Sequence, residues 1–193
     1  MKLNEFIDFE NGIPPAKGCV LLAEPFLQDA HFERSIVFMC EHSEQESYGF
    51  VLNHPMSVNL DEFMDIAPKS IPVFHGGPVA SNSLFYLHTW KGIEGSEEII
   101  PGLFFGGDLS EIFEQIQMNP TQIKKVRFFI GYSGWSDGQL EQEIKERAWI
   151  CANNVSVKTL MNTPVTDLWK TCMSLQGNQF QTFALFPKNV LDN

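Results

Sequence analysis

No apolar run in this chain is longer than five residues, and three of the runs end on glycine turns. These are His75-Gly76-Gly77-Pro78, Gly106-Gly107-Asp108 and Gly131-Tyr132-Ser133-Gly134-Trp135. Short apolar stretches closed by glycine read as strands that end where the backbone bends sharply or passes close to another group. The same brevity excludes a membrane-spanning helix, which needs about 20 apolar residues. Residues 19–23, 35–40 and 48–52 read as strands, the last two joined through the polar turn Glu44-Gln45-Glu46-Ser47 as a hairpin. Further extended runs lie at 71–75, 84–88, 102–105 and 126–130.

Helix signals are interleaved with these runs. Asn59 with Glu62 forms a capping-box pattern, Val58 and Phe63 stand at staple positions, and the helix must stop before Pro68. Asp108 with Glu111 opens a second helix whose stripe is Leu109, Ile112, Phe113 and Ile116. A third is expected over 138–147, where Ser136 and Gln139 form a second box. A fourth opens at Thr163-Pro164 and runs towards Gly177. Because the early strands come in hairpins rather than βαβ units, the pattern predicts an α+β fold. Nothing in the way of a linker or repeat divides residues 1–193, so one domain is expected.

Charge narrows the partners. Thirteen Lys and Arg against 24 Asp and Glu leave −11, whereas nucleic acid and anionic membranes attract basic faces. The densest basic stretch, Lys124-Lys125-Val126-Arg127, runs straight into an apolar strand. Direct, specific DNA binding is therefore not expected, and neither is a membrane partner. Met1-Lys2-Leu3-Asn4-Glu5-Phe6 lacks the apolar stretch of a secretory signal, which points to the cytoplasm.

Several chemistries lack their signatures. Cys19, Cys40, Cys151 and Cys172 form no C-x-x-C pair and read as small buried hydrophobes. His31, His42, His54, His75 and His88 show no metal-ligand spacing, so no metal is expected. No dinucleotide or P-loop motif occurs, and no cofactor is expected. Gly106-Gly107 leads into a helix N-terminus, but Asp108 would already occupy the amides that a phosphate needs. Ser133 falls in Gly131-Tyr132-Ser133-Gly134-Trp135, which misplaces the second glycine of a nucleophile elbow. It reads as a turn serine bonded to backbone.

The run Gly131-Tyr132-Ser133-Gly134-Trp135-Ser136-Asp137-Gly138-Gln139-Leu140-Glu141-Gln142-Glu143-Ile144 resembles the G-Y-[AS]-G-W-x-x-G-Q-L-E-x-E-I block of the AlgH/YqgE family of bacterial proteins. Gly18 to Pro25, Phe32-Glu33-Arg34-Ser35, Gly49-Phe50-Val51-Leu52-Asn53, His75-Gly76-Gly77-Pro78-Val79, Leu87-His88 and Gly106-Gly107-Asp108-Leu109 resemble further family blocks in order. The resemblance is strongest over 18–149, extends loosely to Trp169, and shows no clear pattern after Gly177. It implies one compact α+β domain with a mixed, bifurcated sheet partly curled into a small barrel and flanked by helices. It carries over no catalytic residue. Some family members bear a transcriptional-regulator label, which implies a regulatory role acting indirectly on gene expression.

Two functional readings follow. The first is a cytoplasmic, non-enzymatic binding or regulatory protein, holding a protein or small-molecule partner on Asn53, His75, Gly76, Gly77, His88, Gly107, Asp108, Tyr132, Trp135 and Gln139. The second is a hydrolase-like enzyme using His75 or His88 as acid or base. Trp135 and Trp149 are expected to clamp the third helix onto the sheet.

Overall fold

The computed structural model describes residues 13–186. The reading of Met1–Phe6 lies outside them. Among the described residues no helix is long and apolar enough to cross a membrane.

The first three apolar runs form an antiparallel meander: β1 (Val20–Ala23), β2 (Ile36–His42) and β3 (Ser47–Val51). Three strands have no counterpart among the runs expected from the sequence: β4 (Pro55–Asn59), β7 (Ser96–Ile100) and the last strand, β10 (Trp149–Ala152). The remaining strands are β5 (Pro72–His75), β6 (Val79–His88), β8 (Leu103–Gly106) and β9 (Val126–Trp135). They form one sheet in the order β10-β1-β2-β3-β9-β6-β8-β7, with β4 on β5 and β5 on β9.

β9 is the branch point. Along one edge it pairs with β6 from Val126 to Tyr132, with a register shift between Leu84 and Val79. Its other edge is shared: Phe128 to Ile130 run parallel to β5, and Ser133 to Trp135 run antiparallel to β3. The sheet is thus mixed and bifurcated, as the resemblance implied. It also curls. The Gly18 backbone packs against Ile100 of β7 so closely that a Cβ there would stand 2.3 Å from Cγ2. Lys17 pairs with Glu41 of β2 at 3.5 Å and with Glu97 of β7, so the far edge of the sheet returns to its beginning.

Alternation along the strands sorts side chains into three clusters. Inside the curl lie Val20, Leu22, Phe38, Phe50, Leu87 and Phe129, closed by α3 (Val157–Asn162), α4 (Val165–Ser174) and α5 (Asn178–Leu185). Outside, α1 (Leu109–Met118) lays Ile112, Phe113 and Ile116 over Val73, Tyr86 and Phe128. On the other wing, α2 (Gln139–Lys145) lays Leu140 over Leu21, Val37, Trp135 and Trp149. Each such large apolar side chain contributes roughly 1.5–3 kcal/mol by leaving water.

Some elements depart from the sequence reading. The helix expected after Asn59 is a single 3-10 turn, Leu60–Glu62. Glu62 does accept from the Asn59 amide at 2.8 Å, but Phe63 is 51% exposed, so no apolar staple forms. Leu60 N–H donates to Ile71 O at 2.9 Å, tying the turn to the residue before β5, and residues 63–71 continue as turns rather than helix. α2 is shorter than expected because Arg147 adopts φ +66°. The fourth helix ends at Ser174, and Gly177 opens α5, which buries Phe180, Phe183 and Ala184. Residues 178–185, where the sequence shows no clear family pattern, thus contribute to the core.

Candidate functional site

The first glycine turn is a crossing point of two backbones. Gly76 N–H donates to Ile130 O, and its carbonyl accepts from Val51 N–H, both at 2.9 Å. A Cβ on Gly76 would stand 2.2 Å from Gly131 O, and one on Gly77 2.3 Å from the Tyr132 carbonyl carbon. Neither position tolerates a side chain, because backbone lies where the Cβ would be. Ser133, fully buried, donates from Oγ to Gly76 O at 3.0 Å and so bonds backbone at the same crossing.

The two histidines singled out by the sequence lie apart. His75 pairs with Ile130 and His88 with Val126, on opposite edges of β9. Strand spacing and rise put them on the order of 15 Å apart. His75 is half-buried and stacks on His31, with ring centroids 5.9 Å apart. Close to that edge, Asn53 bridges two strand ends, accepting from Ile36 N–H at 3.0 Å and donating to Arg34 O at 2.9 Å. His88 is fully buried, bonded through Nε2 to Gly106 O at 3.0 Å and stacked on Phe104. Burial pushes its imidazole below the usual histidine range, with the Gly106 carbonyl acting in the opposite sense.

Asp108 caps α1, its Oδ1 accepting from Ser110 N–H at 2.7 Å and Glu111 N–H at 3.2 Å. Those are the amides an anion would need. Gly107 adopts φ +101°, and its carbonyl accepts from the Tyr86 hydroxyl. Tyr132 packs edge-on to Tyr48 and Phe85 at the rim of the inner cluster.

Around α2 the polar contacts converge on Glu143. Its Oε2 accepts from the indole N–H of Trp135 at 2.8 Å and of Trp149 at 2.7 Å, and its Oε1 from Gln139 Nε2 at 2.8 Å. The two indoles meet edge to face, 5.9 Å between centroids. The expected clamp is present, closed by a carboxylate that sequence reading left unassigned. One arm of the expected capping box forms: Gln139 Oε1 accepts from Ser136 N–H at 3.1 Å. The residue flanking the helix is Gly138, at φ +68°.

Beside this clamp lies a groove of about 300 Å3, lined by residues of the β2–β3 hairpin and of the turn before α2. His42 and Ser47 close the hairpin as a cross-strand pair, with His42 Nδ1 2.7 Å from Ser47 Oγ. From α2, Glu141 Oε1 stands 3.5 Å from His42 Nε2. Glu44, Glu46 and Asp137 complete an acidic wall. Among the described residues no group of three or more His, Cys, Asp or Glu is arranged to hold a metal ion. Of the anticipated surface residues, Trp135 and Gln139 flank this groove in sequence, while His75, His88 and Asp108 lie elsewhere. The sequence does not single out His42 because, although Ser47 lies five residues along the same hairpin, Glu141 comes from a segment distant in sequence.

Similarity to known proteins extends along most of the chain. The profile of the family described as DUF179, AlgH-like, matches residues 20–181. A UPF0301 protein of Bacteroides thetaiotaomicron is 39% identical over 182 residues, covering 92% of this chain and 91% of the relative. One from Bacteroides fragilis is 40% identical over 183 residues, again 92% and 91%. Two solved structures superpose at 24% identity, a level that speaks for the fold alone. Protein DIP2367 of Corynebacterium diphtheriae has a TM-score of 0.75 over 95% of this chain and 97% of its own. The AlgH protein of Pseudomonas aeruginosa has a TM-score of 0.70 over 93% and 98%. The match of profile, relatives and fold over the same continuous stretch leaves one assignment: the chain belongs to the AlgH-like family.

Proposed function

We propose that the protein is a cytoplasmic, non-enzymatic binding protein that holds a cationic segment of a partner protein in the groove between His42 and Glu141. The groove itself carries the reading. Its wall bears Glu44, Glu46, Asp137 and Glu141 and no Lys or Arg. Its volume, about 300 Å3, is at the small end of ligand pockets, the right scale for one Lys or Arg side chain with its neighbours. The −11 net charge adds long-range attraction for such a partner and opposes duplex DNA, so any regulatory effect on gene expression is indirect. Fluorescence titration with a labelled Lys/Arg-rich peptide should give saturable, salt-sensitive binding. The Asp137→Asn, Glu141→Gln double variant should weaken it at least about tenfold, equivalent to ~1.4 kcal/mol. Equal affinity for parent and variant, or for an acidic control peptide, would refute the proposal.

A second reading rests on one specific observation, the alignment of Ser47, His42 and Glu141 at 2.7 and 3.5 Å. A hydroxyl, an imidazole and a carboxylate in that order are the parts of a hydrolase triad, here with the serine on Nδ1 and the acid on Nε2. It moves the hydrolase reading from His75 and His88, which lie on opposite edges of β9, to His42. Ser47→Ala separates the two readings. Peptide affinity stays at the parental level if the groove only binds; labelling by a fluorophosphonate probe at residue 47 in the parent, lost in the variant, would establish catalysis instead.

A further inference from the structure

Two of the four cysteines, isolated in sequence, meet across the sheet. β1 and β10 pair with Val20 opposite Ala152 and Leu21 opposite Cys151. Cys19 and Cys151 are therefore diagonal neighbours on one face, and both lie in the outer cluster with Trp149 and Leu140. Their thiols lie close enough to bear on one another's charge. The segment leading into β1 covers them: Ala16 N–H donates to Cys19 Sγ, and Cys151 Sγ donates to Pro14 O, each at 3.5 Å. Cys40 and Cys172 lie in the inner cluster instead.

We infer that Cys19 and Cys151 form a peroxide-sensitive thiol pair, which a hydroperoxide converts to a reversible disulfide joining β1 to β10. The surroundings assign the two roles. Cys19 Sγ lies against the Cys151 thiol and accepts from the Ala16 amide, both of which favour its thiolate, and its pKa is lowered. Cys151, beside Cys19 and desolvated by burial, is pushed in the opposite direction, its proton donated to Pro14 O. Burial alone raises the Cys172 thiol to about 12 and raises that of Cys40 as well, so neither competes.

In the first step the Cys19 thiolate attacks one peroxide oxygen. The O–O bond breaks and hydroxide leaves, giving a sulfenic acid at Cys19. In the second step Cys151 Sγ bonds to Cys19 Sγ, the S–O bond breaks, and the thiol proton of Cys151 leaves with the hydroxyl group as water. Two electrons pass from the sulfurs to the peroxide, and a thiol reductant reverses the result. Both side chains are only 3% exposed, so peroxide enters when Pro14–Ala16 lifts, a local opening that leaves the sheet intact.

The test uses the full chain treated with hydrogen peroxide, alkylated under denaturing conditions and mapped by non-reducing mass spectrometry. The expected product is a single intramolecular Cys19–Cys151 cross-link, removed by dithiothreitol, with Cys40 and Cys172 recovered alkylated. In Cys151→Ser, dimedone should trap a sulfenic acid at Cys19; in Cys19→Ser, residue 151 should stay unlabelled. Oxidised protein should also melt at a higher temperature than reduced protein, because the bond closes a long loop in the unfolded chain. Cross-links between other cysteines, cross-links between chains, or dimedone trapping at Cys151 would overturn the inference. So would oxidation of Cys19 to sulfonic acid without a cross-link.

Discussion

His88 shows what burial does to a residue that looks chemical in sequence. Its ring lies between Phe104 and Trp90, bonded through one nitrogen, and desolvation favours the neutral imidazole. The unfolded chain takes up a proton near 6.5, whereas the folded chain does so at lower pH. Its contribution to stability is therefore full above about 6.5 and is lost as pH falls towards the folded value. Denaturant melts at pH 7.5 and 5 should show a smaller acid-induced loss in His88→Phe than in the parent. Parallel losses would contradict this account of the ring. Arg127 is the cationic counterpart. Its guanidinium donates to Leu52 O at 2.9 Å and lies over the Phe74 ring, and burial pushes it down to about 10. In sequence it reads as the end of a basic run; the alternation of β9 turns it inwards beside Phe129. Single residues were legible where the chemistry is local, as with Asp108 capping its own helix. They were not legible where the environment is assembled from distant segments, as with His88, Arg127 and Cys19.

At the scale of elements, α2 is the instructive case. Its seven residues are too few for a helix stable by itself. Leu140 packs it onto β1 and β2, and the two indole N–H groups fasten it through Glu143. Trp135→Ala should cost roughly 3–5 kcal/mol, the usual loss for a buried large aromatic. Glu143→Ala should cost about 1.5–3 kcal/mol for each indole that loses a charged acceptor, while Gln139→Ala, which removes exposed contacts, should cost about 0.5–2 kcal/mol. Urea melts of the three variants should place Gln139→Ala nearest the parent, with Trp135→Ala and Glu143→Ala both well below it. A Trp135→Ala variant that melts like the parent would mean the ring is dispensable to the fold. Periodicity found β1, β2, β3, β5, α1, β9 and α4 because each carries its pattern within its own residues. It missed β7, whose Ser96-Glu97-Glu98 opening is polar, β4, whose residues are at most partly buried, and β10, four buried residues too short to show a period. It overextended the turn at Leu60–Glu62, which is tied to Ile71 and followed by turns rather than helix.

For the whole molecule, charge and topology separate cleanly. A net −11 gives a field that repels phosphates. Gel-shift titration at physiological salt should show at most weak, sequence-blind DNA binding; a nanomolar, sequence-selective complex would overturn that expectation. The sequence by itself determined the α+β class, the placement of glycine at Gly76, Gly77 and Gly131, and the tryptophan clamp, because each is written in neighbouring residues or in a pattern of fixed period. Only the tertiary structure decided that one edge of β9 is divided between β3 and β5, and that the sheet curls until Lys17 reaches Glu97. Only it brought His42, Ser47 and Glu141 to one groove and Cys19 to Cys151. The reason is physical. Strand pairing joins residues through hydrogen bonds between backbone groups that every residue carries, so side-chain order records which faces are buried but not which edges meet.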